Sequence, residues 1–235
     1  MPTAKSGKKK DPFLSLSLKA QCEELGVEFD TLTLGRNEAG WCFSGQSFQK
    51  PEPAAYAYFE SQGFKGNFCE GSAPLMLLKC ASLDFLAEAN IFHDRSDACL
   101  RYFEAQCTIL ESQSSRIVDV IRNATADAIR RNFSEIRGQA LFSTLYPEMS
   151  VDGLLSIWQT IGATGWAQIA EAFIQAPYTY RAGWPDLSVA SGNNLKFVEI
   201  KTTDRLHTNQ KVTFSQLLIP LGLHVSVLKL VQPNP

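Results

Sequence analysis

The chain has 235 residues, is 45% hydrophobic and 20% charged, and carries a formal net charge of −2. Such values fit an ordinary globular protein of one elaborated domain or two small ones; they exclude a uniformly basic nucleic-acid coat but leave room for a local basic groove. No run of about 18 apolar residues occurs, so no membrane span is expected, and the N-terminus lacks the apolar stretch of a secretory signal.

Residues 1–12, with Lys5, Lys8, Lys9 and Lys10 among Ser, Gly and Pro, read as a basic flexible tail. The pattern then predicts a helix near Leu14–Leu25 and strand-like pieces around Phe29–Leu34 and Trp41–Phe43, in a region (13–50) whose role is not legible. From Pro53 the spacing of Ala54, Ala55, Tyr58 and Phe59 is helical. Glu70 stands just before Gly71-Ser72-Ala73-Pro74 and a long apolar run, so a buried helix is expected there, with Ser72 as its cap and Pro74 in its first turn. An acid in that place has an ordinary structural role beside the helix dipole.

Residues 82–165 are mostly helical by pattern, with amphipathic spacing in Ala98–Leu110, Ile117–Arg131 and Val151–Ile161, and with boundaries at Pro147 and the Gly162/Gly165 pair. Arg122, Arg130, Arg131 and Arg137 form either a solvated helical face or a phosphate-tracking surface. The six cysteines (22, 42, 69, 80, 99, 107) include no C-x-x-C pair. They predict buried free thiols in a reducing, intracellular setting, the cytoplasm or nucleoid if bacterial, rather than a zinc site.

The most informative stretch runs from Trp184 to Lys201. Leu187 and Val189 alternate with Asp186 and Ser188, the mark of a strand with two unlike faces, and Ser191-Gly192-Asn193-Asn194 is a cluster of turn formers. On the returning strand Leu195, Phe197, Glu199 and Lys201 share a face. With Gly192 and Asn193 as a two-residue turn, Asp186 is paired with Glu199. Carboxylates so close require a shared proton or a cation between them, and a hard divalent ion such as Mg²⁺ suits oxygen ligands. Lys201 would then sit beside that ion. The plainer alternative is a surface hairpin with a solvated Glu–Lys pair. Arg181 precedes the hairpin and could approach a phosphate, although packing serves it equally well. Beyond the hairpin come a loop at Asp204–His207, a helix from Thr208 or Asn209 to about Leu218, and a last apolar strand at Leu223–Val231. Gln210 and Lys211 open that helix.

Pro185-Asp186 followed by Glu199-Ile200-Lys201 resembles the active-site signature of the PD-(D/E)xK nuclease superfamily. The wider string, GWPDLSV through FVEIKTTDRL to Asn209-Gln210, resembles the VRR-NUC family, which includes the nuclease domain of the Fanconi-anaemia-associated nuclease. Ser61-Gln62-Gly63-Phe64 through Glu70-Gly71-Ser72 match a second stretch of that family, with Cys69 and Glu60 as neighbouring alternatives to Glu70. The helix after Gln210 is one residue longer than the family pattern, and Pro220 near its end departs from it.

The resemblance implies an α/β restriction-endonuclease-like core, with a mixed sheet flanked by helices, over residues 51–235, carrying a helical insertion at about 82–165. It implies Mg²⁺ or Mn²⁺ held by Glu70, Asp186, Glu199 and the Ile200 carbonyl, with Lys201 and Gln210 completing the catalytic set and Lys211 beside the DNA; Arg181 is a DNA contact by its position alone. It implies a structure-selective endonuclease for flap or branched DNA in repair or recombination, and the helical insertion favours a monomer over a homodimer. A dimeric Holliday-junction resolvase and a non-catalytic DNA-binding module are the alternatives.

Overall fold

The computed structural model describes residues 11–69, 71–91 and 93–233; the basic tail, as far as residue 10, lies outside them. Among the described residues the chain forms a mixed five-stranded sheet, a small three-stranded sheet and eleven α-helices. A 3₁₀ turn (Pro12–Ser15) and α1 (Leu18–Leu25) lead into β1 (Glu28–Thr33), followed by a meander of β2 (Gly35–Asn37), β3 (Gly40–Phe43) and β4 (Gln46–Phe48). Next come α2 (Pro51–Ser61), β5 (Lys65–Phe68) and the buried α3 (Ser72–Glu88). Helices α4 (Arg95–Leu100), α5 (Phe103–Ile109), α6 (Ser114–Arg122), α7 (Ala126–Arg137), α8 (Ala140–Leu145), α9 (Val151–Ile174) and α10 (Pro177–Tyr180) follow. The chain closes with the hairpin β6 (Leu187–Ser191) and β7 (Asn194–Lys201), then α11 (Thr208–Thr213), which continues as a π-helical turn (Phe214–Leu218), and β8 (His224–Val231).

The large sheet has the order β1-β8-β7-β6-β5, parallel across β1, β8 and β7 and antiparallel across β7, β6 and β5. Residues 13–50 therefore supply an edge strand of the main sheet, a role no local pattern revealed. One face of the sheet (Leu187, Val189, Val198, Ile200, Leu228) packs under Trp41 of the meander and Ala54, Ala55 and Phe59 of α2. The other face (Ala190, Leu195, Phe197, Val225, Val227) packs under the helices, with Trp166, Phe173 and Phe214 among its buried neighbours. This two-sided cover corrects the expectation of unlike faces: Leu187, Ser188, Val189 and Ala190 are all buried. Period two here separates two cores, and Ser188 is merely the small residue of its row.

Local chemistry explains the other departures. The expected Leu14–Leu25 helix begins only at Leu18, because Ser17 accepts a hydrogen bond from the Ala20 N–H and caps it. The 98–110 pattern spans two helices that break where Arg101 turns extended, and Thr125 restarts the chain between α6 and α7. Helix α9 runs past the expected boundary, but Gly162 is non-helical (φ 65°, ψ 176°) and kinks it. Ser72 is not the cap of α3: Gly71 holds that position at φ 73°, without any side-chain hydrogen bond. A Cβ there would lie 2.4 Å from Cβ of Trp184, so only glycine lets α3 start against the hairpin.

The N-terminus of α9 is seated on β5, which was not foreseen as a strand. Buried Asn67 accepts from the Ser150 N–H (2.7 Å) and donates to the Ser150 carbonyl (3.3 Å). Gly153 lies so near that an added Cβ would meet the Gly66 carbonyl oxygen at 2.0 Å. Gly153→Ala should therefore cost roughly 1–3 kcal/mol of stability by overpacking backbone on backbone. Urea denaturation would measure it, and an unchanged midpoint would mean that this contact does not seat the helix.

Candidate active site

The hairpin register follows from its two-residue turn. Ser191 pairs with Asn194, and the ladder runs out to Leu187 paired with Val198, so the next position brings Asp186 beside Glu199. Asp186 Oδ2 accepts the Ile200 backbone N–H at 2.8 Å, which fixes its carboxyl against the second strand. Glu199 is 1% exposed. Its Oε1 receives Nζ of Lys201 at 2.9 Å and Nε2 of Gln210. The Gln210 carbonyl oxygen in turn accepts the His207 N–H at 2.9 Å, so this one side chain closes the first turn of α11 and ties it to β7.

Charge balance in this pocket is unusual. Burial, then the Glu199 charge, pushes the Asp186 carboxyl up to about 8, against the lowering effect of the Ile200 N–H and of Lys201. Burial also raises Glu199, opposed by Lys201. Lys201 is raised too: its loss of solvent is outweighed by Glu199 and Asp204. The Asp186 and Glu199 carboxyls lie within hydrogen-bonding contact, and one proton shared between them leaves the pair a single negative charge to face Lys201. With both ionised, that contact has no proton, and Glu199 Oε2 stays buried without a donor among the described residues.

An orphaned, acceptor-only oxygen beside a second carboxylate is what a hard divalent cation satisfies, so the donor set fits Mg²⁺ or Mn²⁺. Asp186 and Glu199 are two of the three expected carboxylates. The third, Glu70, lies outside the described residues, and among the described residues no three His, Cys, Asp or Glu side chains converge as a ready cage. Of its alternatives, Cys69 is buried and Glu60 is exposed at the end of α2. The Ile200 N–H serves Asp186, while its side chain belongs to the opposite core.

Two groups that sequence reasoning passed over join the site. Glu52, in the first turn of α2, has a buried Oε2 with no partner among the described residues, and its charge adds to the forces raising Asp186. An acid in a helix's first turn carries an ordinary dipole reading, so no local signal would have singled it out. Asp204, three residues past Lys201, accepts from that lysine at 3.0 Å. Glu52 and Cys69 also line a cleft of about 550 Å³ with Lys50, Phe68, Tyr146 and Glu148. On the far side of Tyr146 a second cleft of about 140 Å³ includes Ser72, Lys79, Tyr102, Arg181 and Trp184. Neither wall includes Asp186 or Glu199.

The predicted DNA contacts fare differently. Arg181 is exposed, its guanidinium 5.3 Å from the Tyr178 ring centre and free to face a ligand. Lys211 is engaged within the chain, paired with Asp11 at 2.8 Å and set over the Phe13 ring. The four bundle arginines bind their own fold: Arg122 to Asp119, Arg130 to Asp152, Arg131 to Asp84, and Arg137 to the carbonyls of Tyr146, Pro147 and Met149. These contacts favour the structural reading of that cluster.

No protein-family model matches the chain, and no curated protein matches it. Its fold matches the crystal structure of paFAN1 bound to 5′-flap DNA with a gap and a two-nucleotide flap, at TM-score 0.59 and 19% identity over 92% of this chain. The one-nucleotide-flap structure matches at TM-score 0.58 and 17% identity, again over 92%. The chain spans about two fifths of the length of those proteins, 41% and 42% respectively. The expected architecture is thus present: a mixed sheet flanked by helices, in a fold shared with paFAN1.

The acidic pair makes stability depend on pH in a defined direction. A carboxyl whose folded pKa lies above its unfolded one keeps its proton while the unfolded chain has lost it. Between pH 3.8 and about 8 the unfolded state thus binds fewer protons at Asp186, and stability falls as pH rises. The slope approaches about 1.4 kcal/mol per pH unit for one proton. Asp186→Asn should flatten it, and denaturation curves across this range in chelator would show whether it does.

Proposed function

We propose that the chain is a metal-dependent deoxyribonuclease that hydrolyses phosphodiester bonds in flap or branched DNA, in the manner of the VRR-NUC family. The observation that carries this reading is the buried Glu199 carboxylate, paired with Asp186, faced by Lys201 and left with an unsatisfied oxygen. A merely structural salt bridge has no use for a second buried acid against it. The likeness to paFAN1 bound to flap DNA supports the substrate class.

Asp186 and Glu199 would hold the cation, together with Glu70 and the Ile200 carbonyl. Bound there, Mg²⁺ or Mn²⁺ would supply a water of lowered pKa and neutralise charge on the phosphoryl oxygens. The protein's own groups do the rest. Gln210 fixes one oxygen of Glu199, and the other, buried and without a hydrogen-bond donor among the described residues, would be left to hold the cation. Lys201, 4% exposed, presents an ammonium where it orients the attacking water or meets the developing charge. Glu52 adds a further acid whose charge reaches Asp186, and Arg181, on the wall of the smaller cleft beyond Tyr146, would bind phosphate there.

Asp186→Ala and Lys201→Ala should each reduce cleavage of a labelled 5′-flap duplex by about 100-fold or more while the circular dichroism spectrum is preserved. Full activity in either folded variant would remove the mechanism, and cutting that persists in EDTA would remove the metal. Preference for four-way junctions, with a dimeric mass in solution, would turn the substrate assignment toward a resolvase. Binding of Mg²⁺ without DNA should displace the shared proton, so calorimetry in buffers of differing ionisation enthalpy should register proton release near pH 7.

A further inference from the structure

Asp204 sits on the loop joining β7 to α11 and has no part in the reaction just described. Its Oδ2 accepts Nζ of Lys201 at 3.0 Å, and the same nitrogen makes a 2.9 Å contact with Glu199. The lysine side chain is 5% exposed and that of Asp204 is 49% exposed, so the aspartate caps the lysine from the solvent side. His207 is the other group near it, with Nε2 4.0 Å from Oδ2.

We propose that Asp204 is a positioning residue: it holds the Lys201 ammonium in a fixed direction and supplies the counter-charge that leaves Glu199 available to a cation. The proposal rests on the nuclease reading of the same site. An ammonium has three N–H donors. With Glu199 as its one acceptor, Lys201 would rotate about that contact and close onto the carboxylate as a simple ion pair, spending the charge that a divalent ion needs. Two acceptors on different sides fix two donors, and the direction of the third follows from tetrahedral geometry. Once Glu199 neutralises a divalent ion, its hold on Lys201 weakens and the two cations repel. Asp204 then remains as the lysine's own anion.

The loop is built to keep that carboxylate in place. Gln21, fully buried in α1, pairs with both backbone groups of Leu206: the Leu206 N–H donates to Oε1 at 2.8 Å, and Nε2 donates to the Leu206 carbonyl at 3.2 Å. Arg205 donates to the Ser15 carbonyl at 3.0 Å, and Lys211 pairs with Asp11. The N-terminal segment thus clamps the loop on both sides of His207. Little loop entropy is left to lose when Asp204 engages the lysine.

The test compares the full chain with Asp204→Ala and Asp204→Glu, using a 5′-flap duplex with Mg²⁺ and, separately, ¹⁵N-lysine-labelled protein without DNA. Asp204→Ala should lower kcat by about tenfold or more, leave KM and the melting temperature near those of the parent, and lose the hydrogen-bonded ammonium resonance of Lys201, identified by its absence in Lys201→Arg. Asp204→Glu should restore much of kcat and of the resonance. An unchanged kcat, a loss expressed in KM alone, or an unchanged resonance in Asp204→Ala would each overturn the proposal. Absence of cleavage by the parent chain would instead sink the nuclease reading, and the resonance would still report whether Asp204 holds the lysine.

Discussion

Two carboxyls, a lysine and a glutamine meet in the interior of a sheet, and the surrounding structure is arranged to tolerate them. A buried ion pair is poor evidence of stabilisation, because desolvation offsets its attraction. Glu199 carries that cost and a second acid besides. Such an arrangement persists because the neighbouring elements hold every partner in place: the tight turn sets Asp186 against Ile200, α11 presents Gln210, and the loop presents Asp204. The need for a proton or a cation is written into the hairpin's geometry.

The same constraint explains why both faces of the sheet are covered. A charged pair at the end of β7 can be dehydrated only if cover exists on each side, and α2 with the meander supplies one side while the helical bundle supplies the other. The arginines of that bundle bind its own acids and carbonyls. The helical region thereby reads first as a wall for the sheet. Glycine at position 71 lets that wall begin against Trp184, two residues ahead of Asp186.

Legibility in the sequence tracked the range of the interactions. The hairpin register could be derived because its turn, its alternation and its acids lie within eighteen residues of one another. Strand β5 could not: Lys-Gly-Asn-Phe has no alternation and is held by Asn67 bonding to Ser150, 83 residues away. The role of residues 13–50 was hidden for the same reason, since Gln21 meets Leu206 across 185 residues. Glu52 gave no signal because its position has an adequate local explanation, and the pairing of Lys211 with Asp11 was hidden because the two lie 200 residues apart.

The outermost strand, β1, has its partners at Ser226–Val231 and, among the described residues, nowhere else in the large sheet. It must therefore wait until nearly two hundred further residues have been synthesised. Pairing of this span is slow to nucleate, because a very long loop closes before any ladder bond is gained. Completion of the large sheet is therefore timed by the emergence of β8, and β1 stays unpaired in that sheet until then.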